Sequence, residues 1–193
     1  MARSDIKVFI LAGGLGTRIR PLFADSPKAM IPFNGIPFLE IQMKMLAVQG
    51  FTSFVLCIGH QAQKITSYFG NGQTWGWDLS YSREPTPLGT GGALRYAANH
   101  LNTTALILNG DTYLPMDYTA LVNQHKHDMP GTGTITVVEM EDTRRYGQVM
   151  FDKQNRIQGF QEKVDSTGPG WVNAGVYILE PEILDYIQPD RPV

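Results

Sequence analysis

The chain has a single cysteine among its 193 residues, so no intramolecular disulfide can form. That residue, Cys57, stands inside the apolar run Phe54-Val55-Leu56-Cys57-Ile58, which predicts a small buried side chain rather than a reactive thiol. Long hydrophobic runs are lacking as well. The first apolar run, Val8 to Ala12, falls short of the roughly 7–15 residues of a signal-peptide core, and no other stretch approaches the roughly 20 apolar residues of a membrane span. A membrane partner is not expected, and a cytoplasmic location is. Nor is there an excess of one charge: 16 basic residues against 18 acidic ones give a formal charge of −2, with the basic residues scattered along the chain. This pattern argues against a nucleic-acid surface. Histidines are few, and His125 and His127 are two apart in the polar stretch Asn123 to Asp128, whereas two ligands on one helix face need a spacing of three or four. Both are expected on exposed surface. No Ser-His-Asp or Cys-His arrangement is evident, so no covalent nucleophile is required.

What the chain does have is the length and apolar content of one ordinary globular domain, at 42% hydrophobic residues and without repeats or low-complexity tracts. Lys7 to Ala12 reads as a buried strand that ends at Gly13-Gly14. Pro37 followed by Leu39, Ile41, Met43, Leu46 and Val48 predicts a helix ended by Gly50, and Phe51 to Ile58 reads as the next strand. Further alternation follows, with a helix around Gln61 to Phe69, a strand at Leu79-Ser80-Tyr81, a helix from Gly91 to His100 and a strand from Ala105 to Leu108. Trp75 and Trp77, near Gly72 and Gly76, are expected to cover an edge of the core. After Pro130 the rhythm changes to three strands, Gly131 to Met140, Gly147 to Asp152 and Arg156 to Lys163. The expected fold class is therefore α/β, a mostly parallel sheet flanked by helices with a smaller, partly antiparallel lobe. Ligands on such sheets bind beyond the carboxyl ends of the strands, where both Gly13 and Asp111 fall.

The strongest local signal is Leu11-Ala12-Gly13-Gly14-Leu15-Gly16-Thr17-Arg18, followed by Pro21 and by Pro27-Lys28. Glycines let the backbone approach a ligand, and successive free N–H groups in a tight loop form an anion-binding nest. Arg18 can grip phosphate oxygens through its planar fork, and Lys28 can add a second, mobile positive charge. Two other glycine motifs fit poorly. The dinucleotide fingerprint fails at Ile19 and lacks an acidic residue after the second strand, where Gly59-His60 stands, and no Gly-Lys-Ser/Thr completes a Walker A loop.

The stretch from Leu11 to Glu40 resembles the signature of the sugar-phosphate nucleotidyltransferase family. Further family-like segments follow in order: Glu84-Pro85 with Leu88-Gly89-Thr90-Gly91-Gly92-Ala93, Asn109-Gly110-Asp111, Tyr146-Gly147, Glu162-Lys163 and Asn173-Ala174-Gly175. One departure is Ala29, where the family more often has proline between the lysine and Met30. The resemblance implies a Rossmann-like fold whose smaller lobe binds sugar, with residues 1–193 as one nucleotidyltransferase domain. It places the backbone of Leu11, Ala12, Gly13 and Gly14, with Gly16 and Thr17, against the nucleotide, and Gly89 with Thr90 over the base. Arg18, Lys28 and Asp111 would be catalytic, and Asp111 would hold Mg²⁺ against the triphosphate. Asn109, Gly147, Glu162, Lys163, Asn173 and Gly175 would receive the sugar phosphate. Thr112 and Tyr113 would either line the sugar side or shape the turn.

Those roles imply in-line attack of a sugar-phosphate oxygen on the α-phosphorus of a nucleoside triphosphate, with no general base because the attacking phosphate is already ionised. Within the family, the Pro-Leu-Gly-Thr-Gly-Gly run and the Leu-Asn-Gly-Asp-Thr-Tyr segment are most similar to D-glycero-α-D-manno-heptose 1-phosphate guanylyltransferases, which implies GTP as donor. Mannose-1-phosphate guanylyltransferase and glucose-1-phosphate thymidylyltransferase are the alternatives, and a catalytically silent, sugar-nucleotide-binding regulatory domain is the alternative of another class. A homo-oligomer is left open. Family members usually carry a second metal-binding aspartate beyond the Asn-Ala-Gly motif. Asp185 and Asp190, the only aspartates after Asn173, lack its strand-end context, so the chain is expected to lack its C-terminal segment.

Overall fold

The computed structural model describes residues 6–14, 16, 26–128, 131–144, 146–161 and 168–188. Strand β1 (Lys7–Leu11) lies at the centre of a sheet. It pairs in parallel with β4 (Ser53–Ile58) on one side and with β6 (Ala105–Asn109) on the other. Beyond β4 lies β5 (Asp78–Arg83), also parallel. In chain order these four strands are the first, second, third and fourth of the parallel set, yet in space they run third, second, first, fourth. The winding therefore reverses between β1 and β6, and a switch point of this kind opens a crevice at the carboxyl ends of the strands.

Both faces of the sheet are covered, which is why its strands read as near-continuous apolar runs. On one face Val8, Ile10, Leu56, Leu106 and Leu108 pack against helices α1 (Phe38–Ala47), α2 (Ala62–Phe69) and α4 (Tyr118–Asp128). On the other, Phe9, Val55, Cys57 and Ile107 meet Ala93 and Leu94 of α3 (Gly89–Tyr96). Cys57 is buried as expected, and burial, reinforced by the charge of Glu84, pushes its thiol up to about 12. Trp77 is buried and Trp75 stacks on it at 5.3 Å, closing the core edge predicted for the pair. A short hairpin of β2 (Pro32–Phe33) and β3 (Ile36–Pro37) leads into α1.

The smaller lobe is antiparallel and is built around β10 (Gly170–Leu179). The second half of β10 pairs with β6 and its first half meets β8 (Gln148–Phe151), which in turn pairs with β9 (Ile157–Gln161). Along both halves it also pairs with β7 (Gly133–Met140). Between Asn173 and Tyr177 the β7 register breaks, so that Ala174, Gly175 and Val176 lie opposite Thr136 alone. The predicted Asn-Ala-Gly motif is thus a bulge in a long strand that the sequence reading did not place.

Three expectations need correction. Val48, assigned to the apolar face of the first helix, is 88% exposed, because that face is formed by Leu39, Gln42, Met43 and Leu46. The helix expected from Gly91 to His100 begins two residues earlier and breaks after Tyr96, with Ala98–His100 forming a separate 3-10 turn. His125 is buried, whereas His127 is exposed as expected. The His125 ring fills the inward stripe of α4 with Tyr118, Leu121 and Val122. Its Nδ1 meets the Thr134 hydroxyl at 2.7 Å and its Nε2 meets Glu180 Oε1 at 3.0 Å, while the Thr104 hydroxyl donates to the same carboxylate. Replacing His125 with leucine should therefore destabilise the fold by about 1–3 kcal/mol, because two polar partners lose their bonds. Chemical denaturation measures this, and a loss within error of zero would mean the histidine contributes only its volume.

Candidate active site

Past the end of β1 the chain is zipped on both sides for one more step. Ala12 N–H donates to the Cys57 carbonyl at 2.8 Å, and Gly110 N–H donates to the Leu11 carbonyl at 2.9 Å. The strands then part, leaving a cleft of about 330 Å³ at the switch point. Its floor is Leu11 to Gly14 and Asn109 to Asp111, and its sides are Lys28 with Ala29, Glu84 with Pro87, and Gly89, Thr90 and Ala93.

Close approach of a carboxylate at one position and of backbone at another requires the missing side chains. A Cβ on Gly13 would stand 2.2 Å from Glu84 Oε1, and one on Gly110 would stand 2.7 Å from the Leu11 carbonyl oxygen. The Glu84 carboxylate is thereby pressed into the wall at 9% exposure, with Oε2 accepting from Leu88 N–H at 3.3 Å and Oε1 over Gly13 and Gly59. Burial holds this carboxyl above the usual glutamate range, against the Leu88 N–H, which favours the charged form. Across the cleft the Lys28 ammonium donates to Asp111 Oδ2. The 3-10 turn Lys28–Met30 presents the lysine, and the turn after β6 presents the aspartate, from positions 83 residues apart in sequence.

The Asp111 turn is braced from two directions. Gln42, fully buried on α1, donates through Nε2 to the carbonyls of Asn109 and Thr112, at 2.9 and 2.8 Å. From the other side comes the β10 bulge. Gly175 has φ +72°, its N–H donates to Asn173 Oδ1 at 2.8 Å, and a Cβ there would lie 2.6 Å from Asn109 Nδ2 and 2.7 Å from Thr112 Oγ1. Only glycine fits both the conformation and the space.

Over residues 7–192 the chain matches the family described as "Nucleotidyl transferase". It belongs to that family. It is 34% identical to a Mannose-1-phosphate guanylyltransferase of Mycobacterium tuberculosis, over all of this chain and 54% of that protein. It is 35% identical to a D-glycero-alpha-D-manno-heptose 1-phosphate guanylyltransferase of Campylobacter jejuni, over 93% of this chain and 78% of that one. The chain thus spans about half the length of the first relative and about four fifths of the second. Among solved structures, HddC from Yersinia pseudotuberculosis superposes with a TM-score of 0.83 at 32% identity, covering 96% of this chain and 81% of that one. A second structure of that protein, complexed with GMP-PN, superposes with a TM-score of 0.82. The α/β fold expected from the sequence is the fold of this family.

Of the nucleotidyl transferase residues singled out from sequence, Leu11, Ala12, Gly13, Gly14, Lys28, Gly89, Thr90, Asn109 and Asp111 meet in the one cleft. Gly16, at φ +57°, lies against the Lys28 side chain. Gly175 lies against Asn109 and Thr112 of the Asp111 turn, and Asn173 accepts the Gly175 N–H. Gly147 lies at the start of β8, off the cleft lining, beside the Gln161 carbonyl. Tyr113 is exposed, and Thr112 shapes the turn. Thr17, Arg18, Glu162, Lys163 and Asp190 lie outside the described residues. Glu84 belongs to a family-like segment that carries no assigned role in the sequence, and Gln42 carries no motif at all. Glu84 follows directly on β5, so the strand-end reasoning that found Asp111 applies equally to it. Gln42 could be found only as a polar residue in an apolar helical stripe.

A raised folded-state pKa at Glu84 means that ionising it costs stability. The stabilising contribution is complete below the unfolded value and is lost as pH rises through the folded one. Glu84→Gln should accordingly melt higher than the unaltered protein at neutral pH, with the gap shrinking as pH falls through the raised folded value and closed below about 4.3. Thermal melts at the two pH values check this, and a lower melting temperature for the variant at neutral pH would refute it.

Proposed function

We propose that this chain transfers a guanylyl group from GTP to D-glycero-α-D-manno-heptose 1-phosphate and releases pyrophosphate. The observation that carries this reading is the meeting of Lys28, Asp111 and the Leu11–Gly14 backbone in one cleft at the switch point. The two guanylyltransferase relatives support GTP as donor, and the one that this chain spans more fully is named for heptose. Chemistry supports guanine independently. Its Watson–Crick edge presents N1–H and N2–H as adjacent donors, and the Glu84 carboxylate, an acceptor at both oxygens, can take that pair. Adenine, cytosine and uracil present no two adjacent ring-edge donors.

The reaction joins a sugar-phosphate oxygen to the α-phosphorus while the bond to the β-phosphate bridging oxygen breaks and pyrophosphate leaves. Lys28 pairs with Asp111 in the free protein. With triphosphate bound, the Lys28 ammonium would pair with phosphate oxygens, and the Asp111 carboxylate would hold a divalent ion. Asp111 suits Mg²⁺, being a hard oxygen ligand half exposed at the cleft. Among the described residues no three His, Cys, Asp or Glu side chains gather into an all-protein metal site, which fits an ion shared with substrate phosphates. When bound, that ion would offset charge on the reacting phosphates. Arg18 would add a second cation as pyrophosphate departs, and Gly16 and Thr17 would extend the nucleotide loop. Asn109, Gly147, Glu162, Lys163, Asn173 and Gly175 would receive the sugar phosphate. Among the described residues no helix is long and apolar enough to cross a membrane, and a cytoplasmic enzyme fits substrates of this kind.

Pyrophosphate release tests the proposal, using the four common nucleoside triphosphates against heptose, mannose and glucose 1-phosphates. GTP with the heptose should be fastest, and activity with no pair, or with a pyrimidine nucleotide fastest, would overturn it. Lys28→Ala and Arg18→Ala should each slow turnover by about 10²–10³-fold, the typical loss of one transition-state contact. Asp111→Asn should abolish Mg²⁺-dependent turnover with an unchanged melting temperature, whereas a collapsed melting temperature would make Asp111 a structural turn residue.

A further inference from the structure

Two glutamines on the α1 side hold the segment that follows β6. Gln49 holds its far end, accepting from Tyr118 N–H and donating to the Met116 carbonyl, both at 2.9 Å. Gln42 holds the near end, and both of its amide protons go to the carbonyls that flank Asp111, those of Asn109 and Thr112. Only the NH₂ end can serve two carbonyls, so the amide orientation is fixed. Its own oxygen is then left buried, with no partner among the described residues. An amide chosen for stability alone would not leave its acceptor orphaned in the core. What it gains is geometric. Two bonds from one planar amide set the separation of the two carbonyls, and of the two residues between them the second, Asp111, carries the carboxylate at the cleft.

We infer that Gln42 is a positioning residue, which fixes the Asn109–Thr112 turn so that the Asp111 carboxylate meets Mg²⁺ and triphosphate without reorganisation. This rests on the proposed nucleotidyl transfer. It concerns a residue that touches neither substrate nor metal. The Thr112 N–H already donates to Asn109 O at 3.1 Å, so the turn has its own closure, and Gln42 selects one shape of it. Groups that orient a metal ligand from behind typically contribute 10–100-fold in metal affinity or activity.

The test compares Gln42→Leu with Gln49→Leu in the full chain, by the Mg²⁺ concentration for half-maximal pyrophosphate release, the melting temperature, and amide hydrogen exchange over residues 110–113. Gln42→Leu should raise the Mg²⁺ requirement by about 10–100-fold and speed exchange at the turn in metal-free protein. Gln49→Leu should lower the melting temperature while leaving the Mg²⁺ requirement where it was. If Gln42→Leu does not fold, Gln42→Met keeps length and apolar volume without the donors and carries the same expectation. Equal Mg²⁺ requirements in the two variants, or unchanged exchange over residues 110–113, would overturn the inference. Should the unaltered protein release no pyrophosphate at any Mg²⁺ concentration, the functional reading fails instead, and the exchange measurement still decides whether Gln42 holds the turn.

Discussion

The site depends on one constraint, that main chain meets main chain beyond the end of β1 with nothing between. The ladder carries on past the strand as far as Ala12 on the β4 side and Gly110 on the β6 side. A side chain at Gly110 would force the two strands apart where they most need to stay together, and one at Gly13 would displace the Glu84 carboxylate. The cleft is therefore not a gap left by poor packing. Its floor continues from the core beneath it, where Val8, Phe9 and Ile10 are fully buried, and it opens where the winding reverses. A ligand there would meet a main chain held in place by the sheet itself, which is the preorganisation that electrostatic catalysis needs.

Charge in the cleft is arranged in two unlike states. Lys28 and Asp111 form an ion pair with each side chain between a third and a half exposed, so water shares in their charge and the pair is easily exchanged for other partners. Glu84 is the opposite case. It is buried, held by one backbone N–H, and disfavoured in its charged form. A group that burdens the empty protein and is relieved by donors from a ligand contributes selectivity, because a ligand lacking those donors leaves the cost in place. The mobile pair suits phosphates that must come and go, and the fixed carboxylate suits a base that must be told from other bases.

The parallel half of the fold was legible because its strands are short, apolar and punctuated by glycine, as at Lys7 to Gly13. The antiparallel half was only partly so. In β10 the alternation that marks a strand is broken by the Asn173–Val176 bulge, so the sequence displays a motif where the molecule has ten residues of strand. Helix α4 was hidden in a similar way. Its inward stripe is Tyr118, Leu121, Val122 and His125, and the histidine interrupts an otherwise apolar pattern. Helix α1 carries Gln42 in the matching place, between Leu39 and Met43. In both helices the polar residue is inside because a specific partner waits there, and the partner comes from a distant part of the chain. Spacing along a helix can say that such a residue faces inward. It cannot say what it meets.

The bulge also joins two halves of different architecture at one turn. Strand β10 belongs to both, since its second half lies beside β6 in the main sheet and its first half carries the small lobe through β7 and β8. Between those halves Gly175 presses on Asn109 and Thr112, the residues on either side of the Asp111 turn. A shift of the lobe along this strand would therefore reach the Asn109–Thr112 turn directly. Gln42 resists the same shift from behind, through α1, which is packed into the main core. The turn is held between an element of the sheet's covering layer and an element of the lobe.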